Sequence, residues 1–400
     1  MKKVLIIHHW SSIGGSGISL FNTWQSLQCQ YNIITYIPDS PPSLMHFLQS
    51  KGLNPKTYSF TCGQIPYYSG GSNLSKPGFW YLLLNALFQI PYWKKVIAEE
   101  QPDLIIVNSK VLCWMGKLFK KTKSICFVRE TIKGRPANLI NRVMKNMLED
   151  FTLVAFLSKY DLFQTDLNKA MTVVSPDFLY LEDYVDKCGR EFACKQLGVD
   201  SSSFNVAFVG GIDKLKGIDI AVQAMEILQN ENISLLVAGN DIGAITDGGT
   251  KNFLTKIIKR KSVKFSKEIK SYIDDKCINK CIKFVGIQND ISILFSASDI
   301  LIFPMKEPHQ ARPAFEIGAQ KKPVVITDFT NIHEFVEDGV NGLTFEPGNP
   351  TALAQAILRL KNDKDLLEKL GNTNYEYTMK YHREVYAMGA LAEKINEILQ

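Results

Sequence analysis

No Cys-x-x-Cys pair occurs among the eight cysteines, and no cluster of histidines accompanies them. The usual zinc spacings are therefore missing. Cys277 and Cys281 could share one helix face, but two thiols alone make a poor zinc site. The expectation is free thiols in a reducing cytosol. No uninterrupted apolar run reaches membrane-spanning length. The run Val4–Ile7, after Lys2 and Lys3, is too short for a signal peptide. The expected location is cytoplasmic. Low-complexity segments and sequence repeats are missing, as are the motifs of nucleic-acid binding modules. No acidic pair demands a metal, so the expected metal count is zero. The first glycine-rich loop, GGSG, lacks the dinucleotide fingerprint, and no clean acidic residue follows at the right distance. A dehydrogenase reading is weak.

A chain of 400 residues is too long for one core and suits two domains. The net charge of +6 is unevenly placed: residues 1–170 hold 19 Lys and Arg against 9 Asp and Glu. The remainder is acidic. A basic first half points to an anionic partner such as a lipid surface or a phosphorylated acceptor. Phe79–Ala98 is aromatic and apolar. Gly116–Lys123, GKLFKKTK, packs four lysines around Leu118 and Phe119. The plain reading is a core helix followed by a solvated basic face. The functional one is an interfacial surface touching anionic lipid.

Short apolar runs alternate with helical stretches, which predicts α/β architecture with parallel sheets. Val4–Ile7 reads as a strand, His8–Gly15 as a loop and Ile18–Leu27 as a helix. Further strands are expected at 102–107, 124–129, 151–158 and 171–174. Several end on polar residues: Asn108 and Ser109, Arg129 and Glu130, and Ser158. Residues 179–198 look like an inter-domain connection without strong periodicity. A second start follows, with strand Asn205–Val209, the loop GGIDKLKG and a helix from Ile218. Strands at 235–238 and 282–285 end at Gly239–Asn240 and Gly286–Asn289. Ile300–Phe303, a polar loop at 305–312, a helix at 313–320 and a strand at 323–327 form a strand–helix–strand unit. That arrangement implies a parallel pair with a right-handed crossover. In open α/β sheets ligands bind outside the carboxyl ends of strands. Loop 305–312 lies at such an end and holds Lys306, Glu307, His309 and Arg312. Glu316 is one helical turn beyond Arg312, on the same face. After Asn349 the pattern is helical to the end.

The strand, loop and helix around Glu316, then KKPVV, Glu334 in HEFVEDG, and NGLTFEPGNP, resemble the donor-sugar half of retaining GT-B glycosyltransferases. The family is the GT4-like one, glycosyl transferases group 1. The resemblance implies two Rossmann-like domains facing each other across a cleft. The expected limits are 1–185 for the acceptor domain, with 380–400 crossing back onto it, and 186–379 for the donor domain. Family members usually carry two glutamates eight residues apart. Glu316 matches the second, which typically holds the donor ribose. The first position holds Pro308, with Glu307 one residue out of register as a replacement sugar contact. Lys216 matches the lysine that holds the donor diphosphate. Gly211 stands where an arginine is usual. Arg312 is the expected replacement cation and Lys214 the alternative; the plainer reading of Arg312 is a pair with Glu316 or Glu307.

The resemblance also implies that Gly14 and Gly15 approach the donor phosphates and the acceptor. Gly211, Asn240, Ile287 and Ala314 join the donor-binding set, Ile287 at the base. His8, Asn108 and Arg129 are expected on the acceptor side, the FVRET stretch being a less specific match. Lys216, Glu316, Glu307 and Arg312 form the expected catalytic set. No cofactor is expected beyond a UDP- or GDP-linked sugar as co-substrate. The expected activity is metal-independent sugar transfer to a glycan or lipid-linked acceptor in bacterial surface polysaccharide synthesis, on the inner face of the membrane. Two alternatives stand beside it: a nucleotide-sugar epimerase of the same architecture, and a non-catalytic nucleotide-sugar-binding partner of an active enzyme.

Overall fold

A computed structural model describes residues 1–60, 62–63, 65, 77–131, 139–239 and 253–400. The chain divides into two units. The first comprises Met1–Phe178, Pro308–Gln310 and Tyr381–Gln400; the second comprises Leu179–Glu307 and Ala311–Lys380.

The first unit is built from β1 (Lys3–Ile7), α1 (Gly15–Leu27), β2 (Asn32–Pro38), α2 (Ser43–Ser50), β3 (Lys56–Tyr58), α3 (Pro77–Phe88) and α4 (Ile90–Glu100). β4 (Leu104–Val107), β5 (Lys123–Val128), α5 (Leu139–Leu148), β6 (Leu153–Phe156), α6 (Lys159–Thr165) and β7 (Met171–Val174) complete its sheet and cover. Among the described residues the strand order is β3-β2-β1-β4-β5-β6-β7, all parallel. Val4–Ile7 and Leu104–Val107 are fully buried. Strands covered on both faces read as continuous apolar runs, and that is why both were legible in the sequence.

The second unit contains α7 (Arg190–Leu197), β8 (Phe204–Val209), α8 (Ile218–Ile227), β9 (Ile233–Ala238), α9 (Phe253–Asp275), β10 (Ile282–Gly286) and α10 (Ile291–Ala297). β11 (Ile300–Phe303), α11 (Arg312–Gly318), β12 (Val324–Thr327), β13 (Gly342–Phe345) and α12 (Pro350–Asn362) follow. α13 (Lys364–Tyr381) and α14 (Glu384–Leu399) end the chain. The sheet order is β10-β9-β8-β11-β12-β13, again parallel. α14 lies in the first unit, where Ser175 Oγ donates to Ala387 O at 2.8 Å and Tyr31 Oη to Asn396 Oδ1 at 3.2 Å.

Four features depart from the sequence reading. β2, β3 and β13 were not expected: β3 has only three residues, and β2 mixes Asn32 and Thr35 into its apolar run. The supposedly aperiodic connection contains α7, which buries Ala193 and Cys194. Arg190 at its start forks onto Asp299 at 2.9 and 3.0 Å and donates to Ser201 O and Ser203 O. Phe79–Ala98 is two helices, broken at Gln89 before Pro91.

The fourth departure concerns the surface. α4 is core-facing, with Trp93 and Val96 buried, but α3 exposes Trp80, Tyr81, Leu84, Leu87 and Phe88. The spacing of these five places them along one helical face. α3 carries no charged residue. The exposed lysines Lys117, Lys120, Lys121 and Lys123 are elsewhere. They precede or open β5, whose first residue is level with the start of β4. α4 descends from Ile90 to Glu100, which contacts Lys3 at the start of β1. The end of α3 is therefore at the carboxyl edge of the sheet and the lysine cluster at the amino edge. They are two separate surfaces.

Candidate functional site

Among the described residues each sheet has one switch point, where the chain leaves two neighbouring strands in opposite directions. In the first unit it falls between β1 and β4, and in the second between β8 and β11. Crevices open at such points because the loops after the two strands diverge. Most of the described candidate residues collect at these two places; Ile287 follows the edge strand β10.

At the first switch point Ile7 is level with Val107, which sets His8 beside Asn108. Both are fully buried. Asn108 Nδ2 lies 3.1 Å from His8 Nδ1 and 3.2 Å from Ser16 O. Arg129, just past β5, donates from Nε to Asn108 Oδ1 at 2.7 Å, from Nη1 to Asp177 Oδ1 at 2.8 Å and from Nη2 to Thr23 Oγ1 at 3.1 Å. Its guanidinium also stacks 4.4 Å over the Phe127 ring. The Arg129–Asp177 side chains are 7% and 14% exposed, a nearly dry ion pair. Burial, with His9 and Arg129 nearby, holds the His8 imidazole well below its ordinary pKa, so the ring is neutral at pH 7. Gly14 caps α1 in an extended conformation, its carbonyl accepting from Gly17 N and Ile18 N. Gly15 is exposed in the first turn. Glu130 accepts from Ser109 Oγ and from Lys110 N. Lys110 is buried, and burial lowers its pKa to about 8 against the pull of Glu130.

At the second switch point, the loop after β8 turns through three glycines in the left-handed or positive-φ region: Gly210, Gly211 and Gly217. A Cβ on Gly217 would sit 1.8 Å from Pro304 O, so only glycine lets this loop press on the end of β11. The Lys216 side chain runs back over Gly210, where a Cβ would meet its Cγ at 2.8 Å. Lys216 is half-buried with its Nζ 5.6 Å from the Phe303 ring centroid. Desolvation lowers its pKa to about 8, partly opposed by Asp213. Gly211 has φ +63°, a conformation an arginine would adopt only with strain. Lys306 N donates to Leu215 O at 3.1 Å, and its Nζ is paired with Asp219 in the first turn of α8. The loops after β8 and β11 are thus stitched together on both sides of Lys216.

Arg312 and Glu316 form a buried ion pair, 7% and 6% exposed, with Nε 2.6 Å from Oε1. Tyr184 closes a triangle: its hydroxyl donates to Glu316 Oε1 at 3.2 Å, and Arg312 Nη2 reaches the same hydroxyl oxygen at 3.3 Å. Burial and the Glu316 charge push the Tyr184 phenol up. Arg312 thus takes the pairing with Glu316. α11 has only seven residues, so its start favours an anion only slightly. The Glu307 carboxylate is half-buried and makes no hydrogen bond or ion pair among the described residues. Ala314 is buried, its carbonyl accepting from Asn374 Nδ2 at 3.0 Å. Ile287, past β10, is 64% exposed. Lys214 is exposed above the Phe265 ring. Asn240 lies outside the described residues. Glu334 ends a short 3-10 segment.

Sequence reasoning missed Asp177 and Tyr184, the partners of Arg129 and Arg312. Asp177 carried a signal, since it follows the carboxyl end of a parallel strand. Tyr184 carried none: it is 128 residues from Arg312 and sits in the connection.

Two all-parallel α/β units, each with its polar residues gathered at a switch point, define the GT-B class of fold. The solved structure of Anabaena Alr3699/HepE in complex with UDP and glucose has this fold, with a TM-score of 0.78, 18% identity and coverage of 99% of this chain and 100% of that one. Residues 189–377 match the model for glycosyl transferases group 1. An uncharacterized glycosyltransferase of Methanocaldococcus jannaschii is 29% identical over 198 residues, which cover 49% of each chain. The capsular polysaccharide biosynthesis glycosyltransferase CapM of Staphylococcus aureus is 25% identical over 175 residues, 43% of this chain and 40% of that one. The chain thus spans about half the length of the curated relatives it matches.

Proposed function

We propose that this protein is a retaining glycosyltransferase that moves a sugar from a UDP- or GDP-linked donor to a glycan or lipid-linked glycan acceptor in bacterial surface polysaccharide synthesis. The observation that carries the reading is Lys216, desolvated between two stitched loops at the switch point of the part that matches glycosyl transferases group 1. As the bond between the anomeric carbon and the phosphate oxygen breaks, negative charge gathers on the diphosphate. A fixed cation out of bulk water stabilises that charge far better than one in water. The acceptor hydroxyl bonds to the same carbon, and the leaving phosphate takes its proton. Arg312 and Tyr184 hold Glu316 through Oε1, leaving Oε2 for a ribose hydroxyl. Glu307 serves as the sugar contact, and exposed Lys214 as a second cation for the diphosphate. His8, Asn108 and Arg129 belong to the acceptor side.

Support for a lipid-linked acceptor is the charge-free apolar face of α3. Among the described residues no helix is long and apolar enough to cross a membrane. Peripheral attachment through α3, on the cytoplasmic side, fits both facts.

The test is incubation of the purified chain with UDP- and GDP-linked sugars and an extracted lipid-linked glycan fraction. Nucleoside diphosphate release, with a new glycosidic bond of the donor's anomeric configuration, is the expected result. An isomerised sugar without transfer would turn the reading to an epimerase. Donor binding without either product would turn it to a non-catalytic partner.

A further inference from the structure

The side chains behind His8 leave its imidazole one tautomer. Arg129 Nε can only donate, so the Asn108 atom 2.7 Å from it is Oδ1. The amide nitrogen Nδ2 is then the atom facing His8 Nδ1 at 3.1 Å and Ser16 O at 3.2 Å. An amide nitrogen donates through both hydrogens and accepts nothing. His8 Nδ1 must therefore accept, and in a neutral imidazole the proton sits on Nε2. Flipping the Asn108 amide would set N–H against N–H at Arg129. Arg129 cannot move away, because Asp177 and Thr23 hold its two other nitrogens. Asp177 is itself fixed by Ser19 Oγ at 2.7 Å, and its carbonyl by His382 Nδ1 at 2.8 Å.

The wiring ends on a donor that no described residue accepts from. His8 Nε2 is buried and has no hydrogen-bond partner among the described residues. Unmade buried donors are costly and rare in folded proteins, and a catalytic or binding role is one of the few reasons to keep one. His8 stands at the carboxyl end of β1, beside the switch point and directly before the glycine loop.

We propose that Asp177, Arg129 and Asn108 act as positioning residues that hold His8 as the Nε2–H tautomer, and that this N–H donates to a phosphate or hydroxyl oxygen of the nucleotide sugar. The inference rests on the glycosyltransferase reading and deepens it, moving His8 from the acceptor side to a contact with the donor. It gives His8 the role of a neutral donor and removes it as a general base, since neither ring nitrogen is free to take a proton.

The test is long-range 1H–15N correlation of the histidine rings in the full chain, with His8 assigned by loss of its signals in His8→Gln. Protonated Nε2 and bare Nδ1 are expected at neutral pH. The Nε2 signal should move on adding UDP or GDP if a phosphate oxygen is the acceptor, and only on adding UDP-glucose or GDP-mannose if it is a sugar hydroxyl. Asn108→Asp presents only acceptors and should switch His8 to the Nδ1–H form, with donor affinity falling about tenfold or more. His8→Phe should lose a similar factor, and His8→Gln, which keeps an N–H, should recover part of it. An Nδ1–H ring in the wild-type chain, or bound nucleotide sugar that leaves the His8 signals in place, overturns the proposal. If the intact chain binds none of the four probes, the glycosyltransferase reading fails and the ligand half falls with it. The tautomer measured without ligand still decides the wiring.

Discussion

Arg312 Nε lies 2.6 Å from Glu316 Oε1, one helical turn away and almost out of water, and both groups meet the hydroxyl of Tyr184. On an exposed helix such a pair contributes only tenths of a kcal/mol. In a nearly dry site the balance changes: each charge depends on the other, and removing one strands its partner. The pair thus holds a carboxylate rigidly at the start of α11.

Arg312→Ala and Glu316→Ala are each expected to destabilise the second unit by about 3–5 kcal/mol, the usual cost of breaking a buried pair. The double variant should lose much less than the sum, because neither charge is then left alone. Urea unfolding of the four proteins measures this. Additive losses below about 1 kcal/mol would show the pair to be solvated and incidental.

Lys216 should give two pH dependences of opposite sign. Its folded pKa is lowered to about 8, so between that value and the ordinary lysine range the unfolded chain holds more protons. The contribution of this group to stability therefore rises with pH through that window. Affinity for a nucleoside diphosphate should fall over the same range as the cation is lost. Titration calorimetry of UDP and GDP from pH 7 to 10, beside thermal unfolding, tests both trends. Lys216→Met should flatten the two curves, and a wild-type affinity flat across pH 8 would remove Lys216 from the phosphate site.

Gly217→Ala should destabilise by at least about 1–3 kcal/mol, because a Cβ meets Pro304 O and φ is +76°. Gly14→Ala has open space around its Cβ and an extended backbone, and should leave stability within about 0.5 kcal/mol. Melting curves of the two variants make the comparison. Equal stability would mean that the loop after β8 does not pack on β11.

The two surfaces of the first unit should respond separately to lipid. Replacing Leu84, Leu87 and Phe88 by Ser should weaken binding to neutral and anionic vesicles alike, by about tenfold or more per inserted side chain. Replacing Lys120, Lys121 and Lys123 by Glu should alter only salt-dependent binding to anionic vesicles. Vesicle co-sedimentation at low and high salt separates them. Unchanged binding by the serine variant, or no binding by the wild-type chain, defeats attachment through α3.

Much of the fold could be read from the chain. Runs such as Val4–Ile7, Leu104–Val107 and Ile300–Phe303 are apolar at every position because parallel strands are buried on both faces. Lys216, Arg312 and Glu316 could be picked out because polar residues follow such strands and a motif places them. Local chemistry also foretold the i, i+4 contact of Arg312 with Glu316. The short edge strand β3 and the mixed strand β2 were not legible, since their pairing depends on neighbours rather than on a strong local pattern. The apolar stretch through α3 gave no sign of which side would face solvent. A helix of such uniform character has no polar face to fix its rotation, so packing alone chose the exposed set.

By itself, then, the sequence determined two parallel α/β units and the loops where chemistry collects, because strand burial and glycine-rich turns are local properties of the chain. Only the tertiary structure decided the partners. It brought Asp177 to Arg129, Tyr184 to Arg312 and Asn108 to His8 across 48, 128 and 100 positions. Those contacts decide which charges are paired and which imidazole nitrogen carries a proton. Electrostatics in a dry site depends on distances of a few ångströms, and no spacing along the chain encodes them.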